Sequence, residues 1–170
     1  THVTEQEYAE AAKGLADAFV ALGRTRAASF VYQYLGDRDG ARANASPEHP
    51  EDLARLEEAQ ESYDRAGQLY LDAGRPASAA ICFERSDMHD RARVLWERLS
   101  TDQRLRDRPY EAALVAFNHA RCCRALDDHP AERRSVVNSV RLLEEAADEF
   151  ESAGMRERAF ACFQVLLAMG

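Results

Sequence analysis

Apolar residues recur three and four positions apart along almost the whole chain, with polar residues between them, which is the spacing of amphipathic helices. From Thr4 to Leu22, Tyr8, Ala12, Leu15 and Phe19 fall on one predicted helix face, Thr4 and Glu7 are spaced as a capping box, and Gly23 ends the helix. Thr25–Leu35 predicts a second helix through Ala28, Val31, Tyr32 and Leu35. Residues 36–50 carry turn chemistry at Gly36–Gly40 and Ser46–Pro50, around a short helical turn at Gly40–Ala45. A long helix is predicted over Glu51–Ala73, with Leu53, Leu56, Ala59, Tyr63, Ala66 and Tyr70 as its stripe and Gly74 as its stop. Pro76 opens the next helix, which runs to Ser86, and His89–Leu99 carries Ala92, Leu95, Trp96 and Leu99. Ser100–Arg108 is polar and ambiguous. A helix over Pro109–Leu126, a turn at Asp127–Pro130, a long helix over Ala131–Ala153 ended by Gly154, and a helix over Arg156–Met169 complete the pattern. No stretch alternates as a strand would, so the expected class is all-α, about eight helices whose short links set neighbours antiparallel.

Three of the turns look alike. Phe19, Gly23, Ala28 and Tyr32 share their spacing with Tyr70, Gly74, Ala79 and Phe83, and with Phe150, Gly154, Ala159 and Phe163. The glycine takes the left-handed conformation that ends the first helix, the alanine lets two helices cross closely, and the aromatics fill the space between pairs. On these residues the chain resembles a tetratricopeptide-repeat protein. Gly67, Ala16 and Ala147 fit that family's small residue on the first helix, and Tyr63 fits its opening aromatic, whereas Ala12 and Leu143 depart from it. The resemblance implies a right-handed superhelical stack of antiparallel helix pairs over 1–170 as one domain. The family repeats every ~34 residues, but the turn glycines here stand 74 − 23 = 51 and 154 − 74 = 80 apart. The second gap holds a half-repeat in which Asp87 replaces the turn glycine ahead of Ala92, Trp96 and Leu99. A divergent α-solenoid of another kind is the alternative.

In that family the first helices of the pairs line a concave groove that takes a peptide or a partner helix. Carried across, the groove positions are Glu10, Lys13, Asp17 and Val20; then Glu61, Asp64, Gln68 and Leu71; then Arg141, Glu144, Asp148 and Glu151. Family members that clamp a carboxylate use Lys, Asn and Arg there. These positions are mainly acidic, so the expected partner has a basic or mixed surface. The other reading is that the acids only keep the chain soluble. Phe160, Phe163, Val165, Leu166 and Leu167 are more apolar groups than one buried stripe needs, which predicts an exposed patch for a neighbouring repeat, a second copy or a partner.

Charge narrows the function classes. The net charge is −8, and the arginines are interleaved with acids rather than gathered into a basic stripe, against nucleic-acid binding. Lys13 is the only lysine, a bias that fits a GC-rich, bacterial source. The four cysteines, Cys82, Cys122, Cys123 and Cys162, with no secretory signal or membrane-spanning run, predict free thiols in a reducing cytoplasm. The start without methionine and the apolar end predict a piece of a longer protein.

No phosphate-binding loop, metal-protease helix or nucleophile elbow appears, so no enzyme, cofactor or metal is expected. His119 with Cys122 or Cys123 could share a metal at helical spacing, but further ligands are missing and a core thiol is the favoured reading. Glu144, Glu145, Asp148, Glu149 and Glu151 read as a solvated helix face rather than a catalytic pair. The leading expectation is a protein-interaction scaffold or adaptor. By resemblance to bacterial solenoids, it would act in signalling, polarity or motility through a factor such as a small GTPase. The alternative is a ligand- or peptide-sensing domain that controls an attached effector.

Overall fold

The computed structural model describes residues 4–169, with side chains through 167. The described residues form ten α-helices, one 3-10 turn and no strand. The helices are α1 (Glu5–Ala21), α2 (Thr25–Tyr34), α3 (Arg38–Ala43), α4 (Pro50–Ala59), α5 (Tyr63–Asp72), α6 (Pro76–Arg85), α7 (His89–Ser100), α8 (Pro109–Ala125), α9 (His129–Ser152) and α10 (Arg156–Met169). The 3-10 turn at Gln103–Leu105 falls in the ambiguous stretch before α8. The chain divides into two compact units, Thr1–Cys82 and Phe83–Gly170. In the first, α1 packs on α2, α2 on α3, and α4 on α5; in the second, α7 packs on α8, α8 on α9, and α9 on α10.

Two helices escape the sequence pattern. The expected long helix over Glu51–Ala73 is two helices, α4 and α5, broken at Glu61, whose φ is 60°. No turn residue marks this break, because a glutamate in the left-handed region costs ~1–2 kcal/mol and is a rare choice. Residues 36–50, expected as a loop with one helical turn, contain α3. That helix is seated on α2: Ser29 Oγ donates to the Ala41 carbonyl at 2.7 Å. A Cβ on Gly40 would stand 2.8 Å from the Tyr32 ring, so only glycine fits there without displacement.

The turns follow one rule. Around Gly23, Gly36, Glu61, Gly74, Asp87, Asp127 and Gly154, all at positive φ, the turn N–H donates three residues back and the next N–H donates five residues back. This is the Schellman closure, which satisfies carbonyls that the helix end leaves open. Seven residues before each turn stands a small buried residue: Ala16, Ser29, Ala54, Gly67, Ala80, Ala120 and Ala147. Five residues after it stands a buried alanine at Ala28, Ala41, Ala66, Ala79, Ala92 and Ala159, with Glu132 as the exception. Small residues at these two places let consecutive helices approach closely. Glu61, Gly74 and Asp87 are thirteen residues apart (74 − 61 = 87 − 74 = 13), so Tyr70 and Phe83 each stand nine residues after one turn and supply the carbonyl that closes the following one.

The aromatics at these places carry a polar tip that is satisfied on the preceding helix. Tyr70 Oη donates to Glu58 Oε2 at 2.9 Å, and Trp96 Nε1 donates to Glu84 Oε1 at 2.7 Å, each reaching twelve residues back. Tyr32 Oη donates to Asp17 on α1, fifteen residues back. Burial, then the Glu58 carboxylate, pushes the Tyr70 hydroxyl up to about 12. The first unit also buries two acids. Asp52 holds Arg26 at 2.6 Å and lies 3.5 Å from Arg55, and Glu57 holds Arg42 at 2.8 Å. The core of the second unit centres on Ala113, Leu143, Ala146, Ala147 and Cys162.

The expected face of α1 is only partly right. Ala16 is the buried residue there and Phe19 packs against its cluster, but Tyr8 and Leu15 are exposed. Tyr8 meets Tyr34 edge to face, with ring centroids 6.4 Å apart. The small-residue crossing takes Ala16 into the core, and Leu15 is the adjacent position turned away from it.

Candidate functional site

All but one of the residues carried over as groove positions lie on three helices. Glu10, Lys13, Asp17 and Val20 are exposed on α1, at spacings of three and four that keep them on one side. Asp64 and Gln68 are exposed on α5, and Leu71 is half-buried there. Glu61 is not on a helix at all; it is the left-handed turn residue ahead of α5. Arg141, Glu144, Asp148 and Glu151 are exposed along α9, while Leu143, Ala146 and Ala147 face the core from the same helix. Arg141 pairs with Glu145 at 3.1 Å, and Gln68 donates to Asp72 at 3.2 Å. Within the apolar end, Val165 and Leu166 pack against the second core, whereas Phe160, Phe163 and Leu167 are exposed at helical spacing on α10.

All four cysteines are free and buried. Burial pushes the Cys122 thiol up to about 12, and the neighbouring Glu84 carboxylate adds to that. Burial raises Cys123 and Cys162 as well, so these thiols stay protonated. Cys123 Sγ lies 3.6 Å from His119 Nδ1, but that nitrogen also meets Ser135 Oγ at 2.8 Å. Among the described residues no three of His, Cys, Asp and Glu are grouped to hold a metal.

The His119–Ser135 contact belongs to a feature that the sequence did not announce. Helices α7, α8 and α9 enclose a half-open cleft of 440 Å³ in the second unit, within the range of about 300–1,000 Å³ typical of small-molecule sites. Arg93 and Glu97 enter it from α7, His119 from α8, and Arg134 and Ser135 from α9, with Asp128 at the turn between α8 and α9. No protein-family model, curated protein or solved structure matches this chain. The cleft is therefore read from its own chemistry.

Asp128 Oδ1 accepts the Ala131 N–H at 3.1 Å, capping α9, and its Oδ2 lies 3.5 Å from Arg93. Burial lowers the pKa of His119, and the Glu97 and Asp128 carboxylates oppose that shift while Arg93 and Arg134 reinforce it. The ring is thus neutral at pH 7, able to donate through one nitrogen and accept through the other. Arg93 and Glu97 are one helical turn apart, which was legible; their convergence with Arg134 and Ser135 depends on how α8 and α9 pack, which was not.

Proposed function

We propose that this chain is a docking module for a partner protein or peptide, working in the cytoplasm through exposed stripes on its helices. It would use the right-handed stacking that the tetratricopeptide resemblance implies. The observation that supports this most directly is α9, which buries Leu143, Ala146 and Ala147 and presents Arg141, Glu144, Asp148 and Glu151 to solvent. A helix whose core face is fully engaged leaves its charged face for solvent or for a partner. The acids there select basic or mixed sequences. The free, buried thiols fit a reducing compartment, and no helix among the described residues is long and apolar enough to cross a membrane.

Selection from a random peptide library on the immobilised chain tests this reading. Recovered peptides should be enriched in Lys and Arg. Glu144→Lys with Asp148→Lys, and separately Asp64→Lys with Gln68→Lys, should weaken their binding by about tenfold or more, equivalent to ~1.4 kcal/mol. Peptides without basic enrichment, or binding unchanged in both variants, would rule the stripes out.

The exposed face of Phe160, Phe163 and Leu167 belongs to the same proposal, with a second copy of the chain as its occupant. Sedimentation should show association that grows with concentration and is lost in Phe160→Asp/Phe163→Asp. A monomer at all concentrations would refute that part.

A further inference from the structure

The cleft of the second unit reaches beyond the docking reading and does not depend on it. Its two arginines and two carboxylates balance in number, but only one of each is paired across the cleft. Asp128 is committed to the α9 cap and to Arg93, and His119 is committed to Ser135. Two exposed lining groups of opposite sign, Arg134 on α9 and Glu97 on α7, enter no ion pair among the described residues. Arg93 adds an Nε that is buried with no hydrogen-bond partner. A buried donor left without an acceptor is unfavourable, so this position favours whatever supplies one. One unpaired cation, one unpaired anion and one orphaned donor around a small cavity describe the complement of a molecule that carries both charges.

We propose that this cleft binds a small zwitterion, a free amino acid or a short peptide, with Arg134 and Arg93 Nε taking its carboxylate and Glu97 its ammonium group. Guanidinium groups suit carboxylates because their donors are planar and fixed, and a lone carboxylate suits a compact ammonium. The neutral His119 and Ser135 pair beside them offers further donors and acceptors without adding charge.

Titration of the whole chain with a panel of free amino acids and dipeptides, followed by backbone amide and imidazole NMR, tests this. At least one member should shift the His119 and Ser135 signals saturably, and the preferred arm shows whether the natural source is a free amino acid or a peptide. The N-acetylated and C-amidated forms of that member should each bind about tenfold more weakly or worse, because each lacks one charge. Arg134→Ala and Glu97→Ala should cause the same loss while the far-ultraviolet dichroism is unchanged, and Glu97→Gln provides a variant of the same size. No saturable shift with any member, equal binding of the capped forms, or full binding by Arg134→Ala would overturn the proposal and leave Arg134 and Glu97 as solvated surface charges.

Discussion

Arg42→Ala is expected to destabilise the first unit by ~3 kcal/mol, read as a lower urea midpoint with little change in slope. The reason lies at Glu57, which is 0% exposed. Its Oε1 takes the Arg42 guanidinium at 2.8 Å, and its Oε2 is buried with no hydrogen-bond partner. Arg65 is 3.7 Å from the same Oε1, too long for a strong hydrogen bond. Removing Arg42 therefore leaves a carboxylate in the core with only a distant cation. Breaking such a pair costs ~3–5 kcal/mol, and the remaining Arg65 together with the part-exposure of Arg42 points to the low end.

Glu57→Met should have the opposite sign, neutral to a few kcal/mol stabilising, because it replaces a buried charge with an apolar group of similar volume. Glu57 occupies the place before its turn where Tyr32, Tyr70 and Phe83 stand before theirs, so an apolar side chain suits the site. The double variant should recover most of the loss. If Arg42→Ala costs under ~1 kcal/mol, the Glu57 carboxylate is not stranded and the pair is incidental.

The turns at Gly23, Gly74 and Gly154 are legible from glycine itself, whereas the acid turns at Asp87 and Asp127 are legible only from their surroundings and the one at Glu61 is not. Gly23, Gly74 and Gly154 were visible because glycine adopts positive φ without a steric cost. Asp87 was visible only through the Ala92 and Trp96 that follow it. Glu61 was missed, and one helix was read where two stand. The clue was present in the small residues: Ala54 and Ala66 are twelve apart, as are Ala16 and Ala28, and Gly67 and Ala79. A pair of small residues at that distance marks a helix crossing, whatever residue turns the chain between them.

The candidate site divides in the same way. The α9 stripe came from the tetratricopeptide resemblance, and its residues are exposed opposite the buried Leu143 and Ala147. The cleft did not follow. Its members are scattered from Arg93 to Ser135, and their meeting depends on the packing of α7, α8 and α9, which no local spacing encodes. His119 stood out in the sequence for the cysteines beside it, but its closest polar contact is Ser135, sixteen residues away.

Phe83→Ala should be the most damaging single truncation, at ~3–5 kcal/mol. Phe83 is 0% exposed, packs nine residues after the Gly74 turn and also closes the Asp87 turn, where its carbonyl accepts the Met88 N–H at 2.8 Å. The Arg91 guanidinium lies 4.1 Å from the ring centroid, a cation–π contact whose loss adds to the cavity. Phe163 supplies the comparison. It stands nine residues after Gly154, the same repeat position, but is 44% exposed. Phe163→Ala should cost under ~1 kcal/mol in a monomeric sample, because nearly half of the residue already meets water. Urea unfolding of the two variants side by side separates two explanations of the repeat. A large loss at Phe83 with a small one at Phe163 means that burial sets the energy and the motif only sets the place. Equal losses would mean that the exposed ring of Phe163 is covered in solution, which the dilution series proposed for the α10 face would then have to show as a dimer.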